Sequence, residues 1–496
     1  MRRNALSYTR IQNQSHPGLP LLHPITRRQI AMARKSKNVK SKARKPLPRS
    51  LKTIHANAAG IDLGSREHWV CGPPQEDGTP NVERFGTTTP ELYRLASWLK
   101  EQGVKTAAME STGVYWIPLY EILDSRGFDV VLVNARHISN VPGRKTDMLD
   151  CQWIQLLHAC GLLRGSFRPS DDVCRFRALI RERNTMVDQR SDWIRRMQKS
   201  LDQMNVCVHH AVSDISGVTG MAIIRAIVDG ERDPHALARL RNPHCRKSEQ
   251  QIAEELTGNW RPEHLFNLRQ ALRMYDQINA IIKEYDSEII TYLARLQPAD
   301  SVDTPVPPPP SKAKARSLAK RGQEPVRQAL YRFCGFDLTA LDGIGVDTAS
   351  IIISELGLDF TSFPDESHFV SYLRLAPNLS ISAGKKVRSK SRATTCTRVC
   401  NALRMAATTL RNSQTALGGF YRRMAWRKGA SVAVFATARK LAQLIYRMVR
   451  YGQVYVDTGA AAYNARFDQR RLKLYTKVLN TMGYAVQPLT ESTLAT

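Results

Sequence analysis

Two aspartates three residues apart, Asp147 and Asp150, close the stretch at residues 134–150, NARHISNVPGRKTDMLD. On a helix that spacing sets both carboxylates on one face, with Cβ atoms about 5–6 Å apart. Like charges so close raise each other's pKa unless a cation lies between them. Arg144 and Lys145 stand just upstream, after a Pro-Gly turn. Acids able to hold a metal beside bases able to hold a phosphate point to chemistry on nucleic acid.

Two further carboxylates end short apolar runs: Asp62 in NAAGIDLGS and Glu110 in VKTAAMES. The elements around them follow a legible order. NAAGID reads as a strand, REHWVCGPP as its hairpin partner and VERFGTTTP as a third strand. Leu92, Leu95, Trp98 and Leu99 share one face of an amphipathic helix. VKTAAMES is a buried strand, GVYWIPLYEILDSRG a helix capped by Thr112 and closed by Gly127, and FDVVLVNA the next buried strand. An antiparallel hairpin feeding parallel crossovers is the order of the α/β ribonuclease H-like fold. That fold places acids on the first strand, at the end of the fourth and on a later helix. Asp62, Glu110, Asp147 and Asp150 fall in those places. Such a cluster suits Mg²⁺, or Mn²⁺ in its stead, because hard cations take oxygen ligands and share them with substrate phosphates. Two ions of this kind activate a hydroxyl and stabilise the leaving oxygen in phosphodiester chemistry.

The remainder is expected to be helical. Ile180, Val187, Ile194 and Leu201 repeat by seven, interrupted by Arg183 and Arg190 at the offset positions. Leu268, Tyr275, Ile282, Ile289 and Leu296 repeat likewise, with Ala271, Ile278, Tyr285 and Tyr292 three further on. The spacing predicts a coiled coil, either an intramolecular hairpin or a subunit joint. Pro307 to Pro310 and the basic run after them read as an extended, phosphate-seeking spacer. LDGIGVDTAS resembles a helix-hairpin-helix turn in which Gly343 and Gly345 let backbone N–H groups approach a phosphate. Downstream, Ser380, Ser382, Ser389 and Ser391 share a loop with Lys385, Lys386, Arg388, Lys390 and Arg392. A serine there is a candidate nucleophile towards phosphate, and the bases are candidate nucleic-acid contacts.

Composition agrees. The 73 Lys and Arg against 44 Asp and Glu leave +29 over 496 residues, so a polyanion, nucleic acid above all, is the expected partner. The first acid in the chain is Asp62, and residues 1–53 form a basic arm expected to be disordered; Met32 is an alternative start. The nine cysteines form no CxxC pair and read as reduced thiols. Cys207, His209, His210, His244 and Cys245 match no common zinc spacing. Without an apolar run of about 18 residues the chain is expected to be soluble, with no membrane partner. For a prokaryotic protein the expected location is the cytoplasm, at the nucleoid when bound to DNA.

GIDLGS, MESTGVYW, NARHISNVPGRKTDMLD and LRLAPNLSISAGKK together resemble the DEDD insertion-sequence transposases of the IS-one-ten (IS110) family, over roughly residues 57–450. The resemblance implies a RuvC-like metal-binding domain and a C-terminal domain that supplies a serine nucleophile. It carries Asp62, Glu110, Asp147 and Asp150 onto the family tetrad. Ser382 falls on the nucleophile position with Ser380 as fallback, and Ala383 replaces a usual glycine. It further implies a homodimer that forms tetramers on DNA, acting on element ends and target DNA with a structured noncoding guide RNA. The expected organisation is an arm at 1–53, the RuvC-like domain at 54–171, a helical coiled-coil region at 172–298 and a Pro-rich basic linker at 299–327. A mostly α-helical transposase domain at 328–452 and a C-terminal helix and tail at 453–496 follow. The alternatives are a metal-dependent nuclease of the Holliday-junction type, in which Ser382 only binds, and an inactive nucleic-acid-binding descendant.

Overall fold

The computed structural model describes residues 52–111, 113–134, 138, 150–245, 247–297, 305–376, 380–382, 385–387 and 397–485. The chain divides into two compact units, residues 1–167 and 168–496.

In the first unit, β1 (Ala58–Leu63), β2 (Glu67–Cys71), β3 (Val82–Gly86), β4 (Thr106–Glu110) and β5 (Asp129–Val133) form one sheet in the order β3-β2-β1-β4-β5. β1 runs antiparallel to β2 and parallel to β4, which runs parallel to β5. This mixed sheet has the expected ribonuclease H-like order. One face carries α1 (Thr89–Glu101) and α2 (Trp116–Ser125), which bury Leu95, Leu99, Leu119 and Leu123 against Ile61, Val70 and Met109. The other face carries α3 (Asp150–Ala159), whose Trp153, Ile154 and Leu157 pack on Ala108 and Val133. Gly60 is what lets α3 lie so close. A Cβ there would sit 2.2 Å from the Gln155 backbone nitrogen and 2.3 Å from the Cys151 carbonyl oxygen.

α3 ends over the start of the strands. The Ala159 carbonyl accepts from the Ile54 and His55 backbone N–H groups, and His158 Nε2 lies 2.9 Å from Thr106 Oγ1. Burial first, then the neighbouring His55, lowers the His158 pKa to about 4 from 6.5, against an opposing pull from Asp129. The folded unit therefore resists a proton that the unfolded chain accepts. Its stability is complete above about pH 6.5 and falls as the pH drops towards 4, by about 3 kcal/mol from this group. His158→Gln is expected to flatten that part of the profile, read as denaturant midpoints at pH 4.5 and pH 7.

The second unit is helical apart from a short hairpin. Its spine is α4 (Asp171–Asp202), and the small helices α5 (Val208–Ala211), α6 (Val218–Asp229), α7 (Pro234–Arg239) and α8 (Glu249–Leu256) lead to α9 (Pro262–Leu296). α4 and α9 run antiparallel within one chain: Asp172 meets Tyr292, Arg183 meets Asp286 and Arg190 meets Asn279. Leu268, Ala271, Ile278, Ile282 and Ile289 of the expected seam are buried. Both arginines that interrupt the repeat are thus cross-helix polar contacts.

α10 (Lys312–Arg321) and α11 (Glu324–Cys334) follow. The basic run expected to be an extended spacer is therefore helical in α10, started by the Ser311 side chain and stopped at Gly322, φ +63°. Beyond lie α12 (Val346–Leu356), α13 (Glu366–Tyr372), β6 (Ser380–Ser382), β7 (Lys385–Val387), α14 (Arg398–Thr409), α15 (Ala416–Lys428), α16 (Ala430–Tyr451) and α17 (Gly459–Thr481). Arg177 and Arg181 of α4 grip Ser354 and Glu355 at the end of α12. No helix among the described residues is long and apolar enough to cross a membrane.

Candidate active site

The acids converge through strand register. Ile61 pairs with Met109, so Asp62 and Glu110, the next residues along, stand side by side on adjacent parallel strands. Side chains alternate along a strand. Asp62 therefore shares the face of Gly60, and Glu110 the face of Ala108, which is the face covered by α3. The first turn of α3 lies over Gly60, one pleat before Asp62, and Asp150 opens that helix. Three carboxylates are thus placed at one end of one sheet face. A helix N-terminus beside them contributes partial positive charge.

A fourth acid at this edge escaped sequence reasoning. Glu67 faces Gly64 across the hairpin, where the Gly64 N–H donates to the Glu67 carbonyl at 3.0 Å. Its side chain shares the face of Trp69, which pairs with Asp62. The Trp69 indole donates to Glu67 at 3.2 Å, and Arg84 meets the same carboxylate at 3.2 Å. The signal for Glu67 lies in the tight hairpin, once its register is drawn.

Asp62, Glu110 and Asp150 fit a hard cation, whereas Arg84 already neutralises Glu67. The nearby Cys71 sulfur does not compete, because burial and then Cys151 push its thiol up to about 12. Thiols that stay protonated are poor metal ligands. Asp147, Arg144 and Lys145 lie outside the described residues.

In the second unit, Ser382 is the last residue of β6 and pairs with Lys385, the first of β7. Ser380 pairs with Val387, and Lys386 with Ile381. Arg388, Lys390, Arg392 and Ala383 lie outside the described residues.

Two family models match this chain. One, a DEDD-type IS110 transposase model described as "Transposase", covers residues 59–206, from the sheet through α4. The other, described as "Transposase IS116/IS110/IS902 family", covers residues 337–422, which include the serine hairpin. The chain is a DEDD-type transposase of the IS110 family. No curated protein matches it. It is accordingly an enzyme that cleaves and recombines DNA, and the class works with a divalent metal.

The glycine turn of this transposase is built for packing. Gly343 has φ +80°, and a Cβ on it would lie 2.8 Å from the Ala406 carbonyl oxygen in α14. Gly345 opens α12 and has free space around its Cα. Of the Cys and His set, Cys207 and His210 come near Glu255, all within 4.8 Å, whereas Cys245 lies 3.6 Å from Thr219 Oγ1. Lys247 already neutralises Glu255 at 3.1 Å. Burial, then Glu255 and Asp202, raise the Cys207 thiol. These are structural polar contacts.

Proposed function

We propose that this transposase cleaves element ends and target DNA by attack of Ser382 on a phosphodiester. Asp62, Glu110, Asp147 and Asp150 would hold Mg²⁺ or Mn²⁺ beside the reacting phosphate. The observation that carries the reading is the gathering of Asp62, Glu110 and Asp150 at one end of the sheet. The ion supplies Lewis-acid charge against the phosphoryl oxygens when bound. The Ser382 oxygen forms a bond to phosphorus as its proton passes to water. The bond from phosphorus to the departing sugar oxygen breaks, and that oxygen takes up a proton. The covalent phosphoserine conserves the bond energy for rejoining. Lys385, Lys386, Arg388, Lys390 and Arg392, close to the serine in sequence, would supply charge for the phosphate. Arg144, Lys145 and the N–H groups at Gly343 and Gly345 are the proposed backbone contacts.

In this reading residues 54–171 hold the metal and 328–452 carry the serine. Homodimers, and tetramers on DNA, would form through the outer faces of the paired long helices of 172–298. A noncoding guide RNA suits the charge of +29. Ser382→Ala is expected to abolish both cleavage and any protein–DNA adduct, while Ser380→Ala retains both. Denaturing gels with end-labelled DNA read the two together. Cleavage at the wild-type rate by Ser382→Ala, with no adduct in either protein, would favour hydrolysis by the acids alone.

A further inference from the structure

Between α15 and α17 lies a groove of about 780 Å³ that neither the acidic face nor the serine hairpin lines. Arg423 forms its inner wall. Its guanidinium stacks 3.5 Å over the Phe467 ring and 4.4 Å over Tyr463. Its Nη1 is buried with no hydrogen-bond partner. Burial, then the Arg427 charge, holds Arg423 below the ordinary guanidinium range, with Asp468 opposing. Lys440 on α16 is lowered in turn by burial and then by Arg447, Arg423 and Arg470. Cations are crowded here, and Asp468 is the one carboxylate among the described lining residues. On the rim, Trp426 is 86 % exposed, and Tyr475 of α17 is 51 % exposed. Trp426 thus presents a flat apolar face to solvent on a cationic rim.

We infer that this groove binds a single-stranded polynucleotide, with phosphates against Arg427 and Arg470 and bases stacked on Trp426 and Tyr475. Arginine and aromatic side chains alternating along one groove are what unpaired strands require: charge for the backbone and flat faces for the bases. Duplex DNA hides those faces. The inference rests on the reading of the chain as a nucleic-acid enzyme, though not on its serine chemistry.

The test titrates full-length protein against labelled oligouridylate and oligothymidylate of about 20 nucleotides, followed by fluorescence anisotropy over a salt series. Trp426→Ala is expected to weaken binding about tenfold, the loss of one stacked base. Arg427→Gln combined with Arg470→Gln is expected to lower the slope of log affinity against log salt by about 1.4. All three side chains are exposed, and a circular dichroism spectrum matching the wild type verifies the fold of each variant. Tighter binding of either oligonucleotide supports the site and names its source, RNA or DNA. Unchanged affinity and slope in both variants overturn it, as does an equal loss on duplex DNA. The wild-type serine adduct is read separately: groove binding without an adduct sinks the serine chemistry alone, and an adduct with no effect of the groove variants sinks the groove alone.

Discussion

Asp62→Asn and Glu110→Gln are each expected to lower DNA cleavage by about 10³-fold or more, because groups that act as one unit fail together. The two side chains are neighbours across a parallel strand pair, on the face that α3 covers. Each change keeps size and shape and removes one charge. Without metal, removing one of several like charges relieves repulsion, so in a chelator the variants should unfold at or above the wild-type temperature. In millimolar Mg²⁺ the order should reverse. The wild type gains stability by binding the ion to its folded state, and the variants gain little. Thermal unfolding with and without Mg²⁺ reads both signs. Wild-type cleavage by either variant would remove the acidic face from the reaction.

Arg327→Ala is expected to cost about 3–5 kcal/mol, the usual loss when one member of a buried ion pair is removed. Arg327 is 1 % exposed. Its Nη2 lies 2.6 Å from Asp337 Oδ2 and 2.7 Å from the Pro307 carbonyl oxygen, and its Nη1 is 2.9 Å from Glu324 Oε1. The deletion strands Asp337, whose side chain is itself 9 % exposed, without its main counter-charge. Combining Arg327→Met with Asp337→Asn should recover part of the loss, since the uncompensated charge goes too. Denaturant midpoints of the three proteins give the comparison. A loss below about 1 kcal/mol for Arg327→Ala would mean that water replaces these contacts at no penalty.

What could be read without coordinates follows from how local each signal is. Asp62 and Glu110 were legible because each stands at, or one residue before, the end of a short apolar strand. The sheet order followed from the alternation of strands and helices. Glu67 was not legible, because its place depends on the register of the hairpin rather than on any motif. Arg183 and Arg190 looked like flaws in a heptad until α9 supplied Asp286 and Asn279 opposite them. Residues 311–322 were misread through composition. Prolines and bases suggested an extended spacer, yet Ser311 and Gly322 are a start and a stop around good helix formers. The anchoring partners of Arg327 reach back to Pro307 and forward to Asp337, a separation that no periodicity encodes.

The central claim is that the acidic face and Ser382 serve one reaction. Its most direct test is peptide mass spectrometry of the protein–DNA adduct, formed with Mg²⁺ or with a chelator by the wild type and by Glu110→Gln. The account predicts a phosphoserine at Ser382 in the wild type with Mg²⁺, and no adduct in the chelator or in Glu110→Gln. An adduct at Ser382 formed equally in all these conditions would contradict it.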